Sequence, residues 1–202
     1  MPTVTFGLGS LMVGHWAPMP TPASAPGSLL AAGLVDLVAC DQEGADLGAR
    51  PAVGSEDQWA LVHVLYADCG CSRQVIDYLL TSERSSSASE WVLLVEEDRG
   101  SEVRSELHGQ LTAAGLRTHS LTPSALLQRF GLESAPLFLV LGPAREVRFL
   151  GGYTARKQGL HYQDINTLNQ LRAGTKPSPL PVFGCGVSNA LQATLDPLKI
   201  KY

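Results

Sequence analysis

The stretch "LYADCGCSRQVIDYLL", Leu65 to Leu80, decides the reading of this chain. Two cysteines, Cys69 and Cys71, stand one residue apart where an apolar run gives way to a helical pattern. Before them, "WALVHVLYA" (Trp59 to Ala67) is almost wholly apolar and rich in β-branched residues, as a strand buried on both faces must be. After them, Val75, Ile76, Leu79 and Leu80 recur at helical spacing. Two thiols at such a junction suit a redox couple, a metal clip or plain core packing.

Outward from this junction the pattern repeats. "SERSSSASE" reads as a polar loop and "WVLLVEE" (Trp91 to Glu97) as a second buried strand. Ser101 opens a helix with Val103, Leu107, Leu111 and Ala114 on one face, and Gly115 stops it. "LRTHSLT" reads as a strand. Thr122 before Pro123 is a helix start, a capping hydroxyl followed by a residue whose φ is already set. "APLFLVLG" and "EVRFLGGY" predict a hairpin, and Asp164 a cap for a helix bearing Ile165, Leu168 and Leu171. "GTKPSPLP" is a linker, and the tail beyond it holds one short helix, broken at Pro197. The order is β-α-β-α-β-α-β-β-α. It predicts an α/β fold, a mixed sheet with helices on both faces.

Three segments follow: an N-terminal extension at 1–54, a folded domain at 55–173, and a Pro-rich linker with its tail at 174–202. From Met1 to Val35 there is no charged side chain. "FGLGSLMVG" has the look of a signal-peptide core and "ASA" of a cleavage site, but the basic start is missing. The segment reads as an export or anchor remnant, as an extension packed on the domain, or as a Pro/Ala-rich leader. Any membrane association rests on it alone, and the cell envelope or periplasm is favoured over the cytoplasm. The net charge of −4 argues against a nucleic-acid partner, which calls for a basic surface. Four cysteines in 202 residues are too few for a disulfide scaffold.

A thiol at a helix N-terminus faces free N–H groups and a partial positive charge, which favour the nucleophilic thiolate. Cys69 holds that place. Cys71 lies four residues before Val75 and eight before Leu79, which turns it toward the core. A Cys69–Cys71 bond through Gly70 joins positions that do not face each other in a helix, so it would be easily reduced. Asp68 opposes the Cys69 thiolate by like charge. His63, mid-strand, reads as a satisfied core histidine, and Cys40 as a core residue.

The chain resembles the thioredoxin superfamily from about Trp59 to Ala173. The likeness rests on Cys69-Gly-Cys-Ser72 after the first strand, on "SAPLFLV" with Pro136 at the family's cis-proline position, and on the hairpin with Gly151-Gly152 before a last helix. Ser72 stands where the family's second cysteine would be. The resemblance implies a thiol–disulfide oxidoreductase acting on protein thiols or disulfides through Cys69 and Cys71, with Pro136 beside them and no cofactor. In the family, the backbone before this proline pairs with bound substrate. "CGCS" also resembles the motif of monothiol glutaredoxins. The alternative is therefore an iron–sulfur cluster or soft metal ion held by Cys69, Cys71 and Cys185. A redox-inactive scaffold is the third reading. Cys185, in "FGCGVS", is a resolving thiol for Cys69, a third ligand, or a tail cysteine packed under a loop; Asp68 and Ser72 are modulating candidates.

Overall fold

The computed structural model describes residues 18–21, 30, 32–34, 59–84, 88–97, 101–157, 159 and 161–196. Cys40, His15, the "FGLGSLMVG" run and the "ASA" site lie outside them. In chain order the elements are β1 (Trp59–Tyr66), α1 (Gly70–Thr81), β2 (Ala88–Val95), α2 (Ser101–Ala113), β3 (Arg117–Leu121) and α3 (Pro123–Phe130). Then come β4 (Ser134–Ala135), β5 (Leu137–Leu141), β6 (Val147–Gly151), α4 (Asp164–Arg172), β7 (Cys185–Gly186) and α5 (Asn189–Leu195).

Five strands form one sheet in the order β3-β2-β1-β5-β6. β1, β2 and β3 run parallel, while β5 and β6 are antiparallel, so the sheet is mixed. β1 is central because every residue after Trp59 is buried. Its side chains alternate between two cores, as strand geometry requires. Val62, Val64 and Tyr66 face α3 through Leu126 and Phe130. Leu61 and Leu65 face α1 and α4 through Val75, Ile76, Leu79 and Leu168.

The helix signals hold where they are chemically specific. Thr122 caps α3 by accepting from the Ala125 N–H at 3.2 Å, and Gly131 ends it at φ 67°, a left-handed angle that glycine tolerates. Two expectations change. β2 begins at Ala88, so the end of the polar "SERSSSASE" run is strand, with Glu90 buried. Asp164 opens α4 after Gln163, and its carboxylate turns inward to an ion pair instead of capping.

Both the N-terminal segment and the tail contribute to the core. Met19, Leu30 and Leu34 from the N-terminal segment are buried in the same core as Val182, Cys185 and Val187 from the tail. The Met19 N–H donates to the Val182 carbonyl at 2.7 Å. Among the described residues, no helix is long and apolar enough to cross a membrane.

Candidate functional site

Cys69 is the N-cap of α1, with extended dihedrals of −99° and 121°. Its carbonyl accepts the first helical bond from the Arg73 N–H at 3.0 Å. No side chain caps this end and no acidic residue lies in the first turn, so the helix N-terminus faces the sulfur. Ser72 anchors the junction from inside: its buried hydroxyl accepts from the Tyr66 N–H at 3.0 Å. That contact ties α1 to the end of β1. Asp68 lies exposed on the turn just before Cys69.

The Ala135–Pro136 peptide is cis. Cys69 Sγ lies 3.9 Å from the Ala135 carbonyl oxygen, so the proline segment and the helix start meet as the sequence implied. The tail crosses the same place. Beyond the linker, the Gly152 N–H donates to the Leu180 carbonyl at 3.1 Å and the Val187 N–H to the Glu133 carbonyl at 2.7 Å. Between these points β7 pairs antiparallel with β4, Cys185 opposite Ala135 and Gly186 opposite Ser134. Ser188 closes the segment by donating to Glu133 Oε1 at 2.7 Å and capping α5.

This pairing delivers Cys185 to Cys69, and the two form a disulfide across 116 residues of chain, with Cα atoms 6.1 Å apart. The Cys69–Cys71 bond expected as one possibility is not the one formed. Cys71 is a free, exposed thiol on the outer side of α1, not a core residue. Cys71 and Cys185 line one cleft of about 370 Å³, together with Pro136, Tyr153, Lys157 and Tyr162. Cys69 itself is fully buried behind Cys185.

The three-sulfur metal set is not assembled in this state. Two of its sulfurs are bonded to each other, and among the described residues no three His, Cys, Asp or Glu side chains are grouped to hold a metal ion.

Behind the cleft wall lies a buried polar cluster that the sequence did not reveal. The Tyr153 hydroxyl and His63 Nδ1 are 2.7 Å apart, and His63 Nε2 is 3.4 Å from Glu90 Oε2. Arg84 bonds Glu90 at 2.8 Å and Asp164 at 2.8 Å, and the Tyr78 hydroxyl donates to Asp164 at 2.8 Å. His63 is thus a satisfied core histidine. Burial pushes the Glu90 carboxyl up, but His63 and Arg84 together hold it below the usual carboxylate range. Burial, with the Asp164 charge beside it, pushes the Tyr78 hydroxyl up to about 12. The local signal for this cluster was weak: charged residues near loop ends normally face water.

The strand order, the cysteine at the first helix start and the cis-proline beside it define a thioredoxin-like fold. No family model and no curated protein matches the chain. Among solved structures, the chain is similar to a hypothetical protein from Sinorhizobium meliloti at 13% identity, covering 66% of this chain and 80% of that one, with a TM-score of 0.47. It is similar to the thioredoxin domain of a thiol-disulfide oxidoreductase from Bacteroides vulgatus at 16% identity, covering 57% and 80%, with a TM-score of 0.36. StoA from Bacillus subtilis is similar at 13% identity, covering 51% and 79%, with a TM-score of 0.34.

Proposed function

We propose that this chain is a thiol–disulfide oxidoreductase whose redox couple is Cys69 and Cys185. The observation that carries this reading is a disulfide between the N-cap of α1 and a tail cysteine that lines an open cleft.

In this reading Cys185 is the sulfur attacked, because it borders the cleft while Cys69 is covered. A substrate thiolate attacks Cys185 Sγ; a new S–S bond forms as the Cys69–Cys185 bond breaks. The electron pair of the broken bond leaves on Cys69, where the helix N-terminus stabilises the thiolate. A better-stabilised leaving thiolate departs faster. A second substrate thiol then attacks the substrate's own sulfur and releases Cys185 as a thiolate. The substrate dithiol is oxidised by two electrons, the protein disulfide is reduced, and the two protons lost by the substrate pass to Cys69, Cys185 or water. Exchange with a disulfide donor, run in reverse, restores the starting state. Cys71, in the same cleft, can stand in for the external thiol and move the disulfide to Cys71–Cys185 while freeing Cys69. The exchange uses cysteine sulfur alone, with no bound cofactor. The partners are protein thiols or disulfides, and the setting is the cell envelope, where such bonds persist.

The test is single-turnover transfer. Oxidised protein is mixed with a reduced dithiol peptide, and the peptide disulfide is counted by mass spectrometry. One peptide disulfide per Cys69–Cys185 bond is expected, with none from Cys69→Ser or Cys185→Ser. Transfer that persists in both variants, or is absent from the unaltered chain, removes the reading.

A further inference from the structure

The tail strand is a template for what can lie against β4. At Gly184, immediately before Cys185, a Cβ would overlap the Ala135 carbonyl oxygen and come within 2.6 Å of Pro136 Cδ. Neither neighbour can yield: one is backbone, and the other belongs to a ring whose φ is fixed. Gly184 directly precedes Cys185, the residue paired with Ala135. The site for Gly186 is different. Its close neighbours are the Leu191 and Leu195 side chains, at 3.2 Å each, and both belong to the tail itself. They leave with the tail; Ala135 and Pro136 do not. The oxidised chain therefore fills this strand position with its own segment, locked by the disulfide.

We propose that Ala135 and Pro136 act as a glycine filter: a partner segment taking the tail's place on β4 must be extended and must carry glycine immediately before its cysteine. This rests on the redox reading and names its partner class, a Gly-Cys segment in disulfide form. The step is an exchange. Once reduction has freed the tail and it has left β4, the uncovered Cys69 thiolate attacks the partner cysteine's sulfur; that sulfur's existing S–S bond breaks and the displaced group departs as a thiolate, a route separate from the exchange at Cys185. A bulkier residue before the cysteine holds the partner sulfur away from Cys69.

The experiment uses the full chain with Cys40→Ser, Cys71→Ser and Cys185→Ser, so that Cys69 is its one thiol and the tail keeps its contacts but loses its covalent tie. The probes are Val-Phe-Gly-Cys-Gly-Val and Val-Phe-Ala-Cys-Gly-Val, each carrying thionitrobenzoate on its cysteine. Release of the yellow thiolate reports the rate at Cys69. The glycine peptide should react at least tenfold faster, with both slowed equally by the docked tail. Equal rates, or reaction of neither peptide, overturns the filter. A Gly184→Ala change in the otherwise unaltered chain gives a second reading: its Cys69–Cys185 bond should be reduced by dithiothreitol at least tenfold more readily, with the circular dichroism spectrum of the domain kept. An unchanged reduction equilibrium overturns the filter too. Both measurements read the fit of a strand on β4 through added reagents. They succeed or fail independently of the single-turnover transfer that tests the redox reading.

Discussion

Cys185 sits opposite Ala135 in the β4–β7 ladder, and that register carries its sulfur onto Cys69 at the start of α1. The bond joins the last strand to the first helix and locks the tail over the cis-proline segment. Native protein treated with iodoacetamide should therefore be labelled at Cys71, with Cys69 and Cys185 modified only after reduction. Peptide mapping reads the order. Labelling of Cys69 without reductant contradicts the assignment, since a disulfide sulfur is not a nucleophile.

Reduction should also cost stability. A bond closing a long loop restricts the unfolded chain and typically contributes about 2–4 kcal/mol. Urea unfolding of the Cys71→Ser variant, with and without dithiothreitol, should show a loss of that size. Identical midpoints would mean that the tail is held by packing alone.

Ser72→Ala should destabilise the domain by about 1–3 kcal/mol, because the buried Tyr66 N–H loses its acceptor. The Cys69–Cys185 bond should still form, which intact mass before and after alkylation would reveal. A neutral effect on stability argues that the α1–β1 junction does not depend on this hydroxyl.

Arg84→Met leaves Glu90 and Asp164 buried without their cation. Removing one partner of such a cluster costs about 3–5 kcal/mol. Chemical denaturation at neutral pH should show it, and the far exposed pair Arg148–Glu146 serves as the control, where Arg148→Met should change little.

The same cluster sets an acid limb. Glu90 is held below its usual range when folded, so the unfolded chain binds its proton first as pH falls. Its contribution is complete above the unfolded pKa of about 4.3 and is lost as pH drops through the lower folded value. Stability measured between neutral pH and about pH 3 should fall less steeply in Glu90→Gln than in the unaltered chain. An unchanged slope assigns the acid sensitivity to other carboxylates.

Local chemistry written in short windows was legible in the sequence. The largely apolar runs of β1 and β5 could bury only as interior strands, Thr122-Pro123 could only start a helix, and Cys69 fell at a helix N-terminus because an apolar strand ended three residues earlier. The cis bond before Pro136 was implied by the family resemblance of "SAPLFLV" and not by local chemistry. Pairings between distant segments were not legible. Cys185 reads from sequence as a resolving thiol for Cys69 among three alternatives, and only the fold chooses, because the meeting depends on a two-residue ladder between β4 and β7 and on glycine where β4 leaves no room for a Cβ. Cys71 points outward for a reason its helical spacing to Val75 does not contain: the rotation of α1 is set by Ser72, Val75, Ile76 and Leu79 together as they seek the sheet. Arg84 and Glu90 read as part of a polar loop and Asp164 as a helix cap, and only the packed fold brings them into one buried cluster. Sequence fixes what each residue prefers within a turn or two; which distant partner satisfies it is decided by packing, where the whole chain must be buried at once.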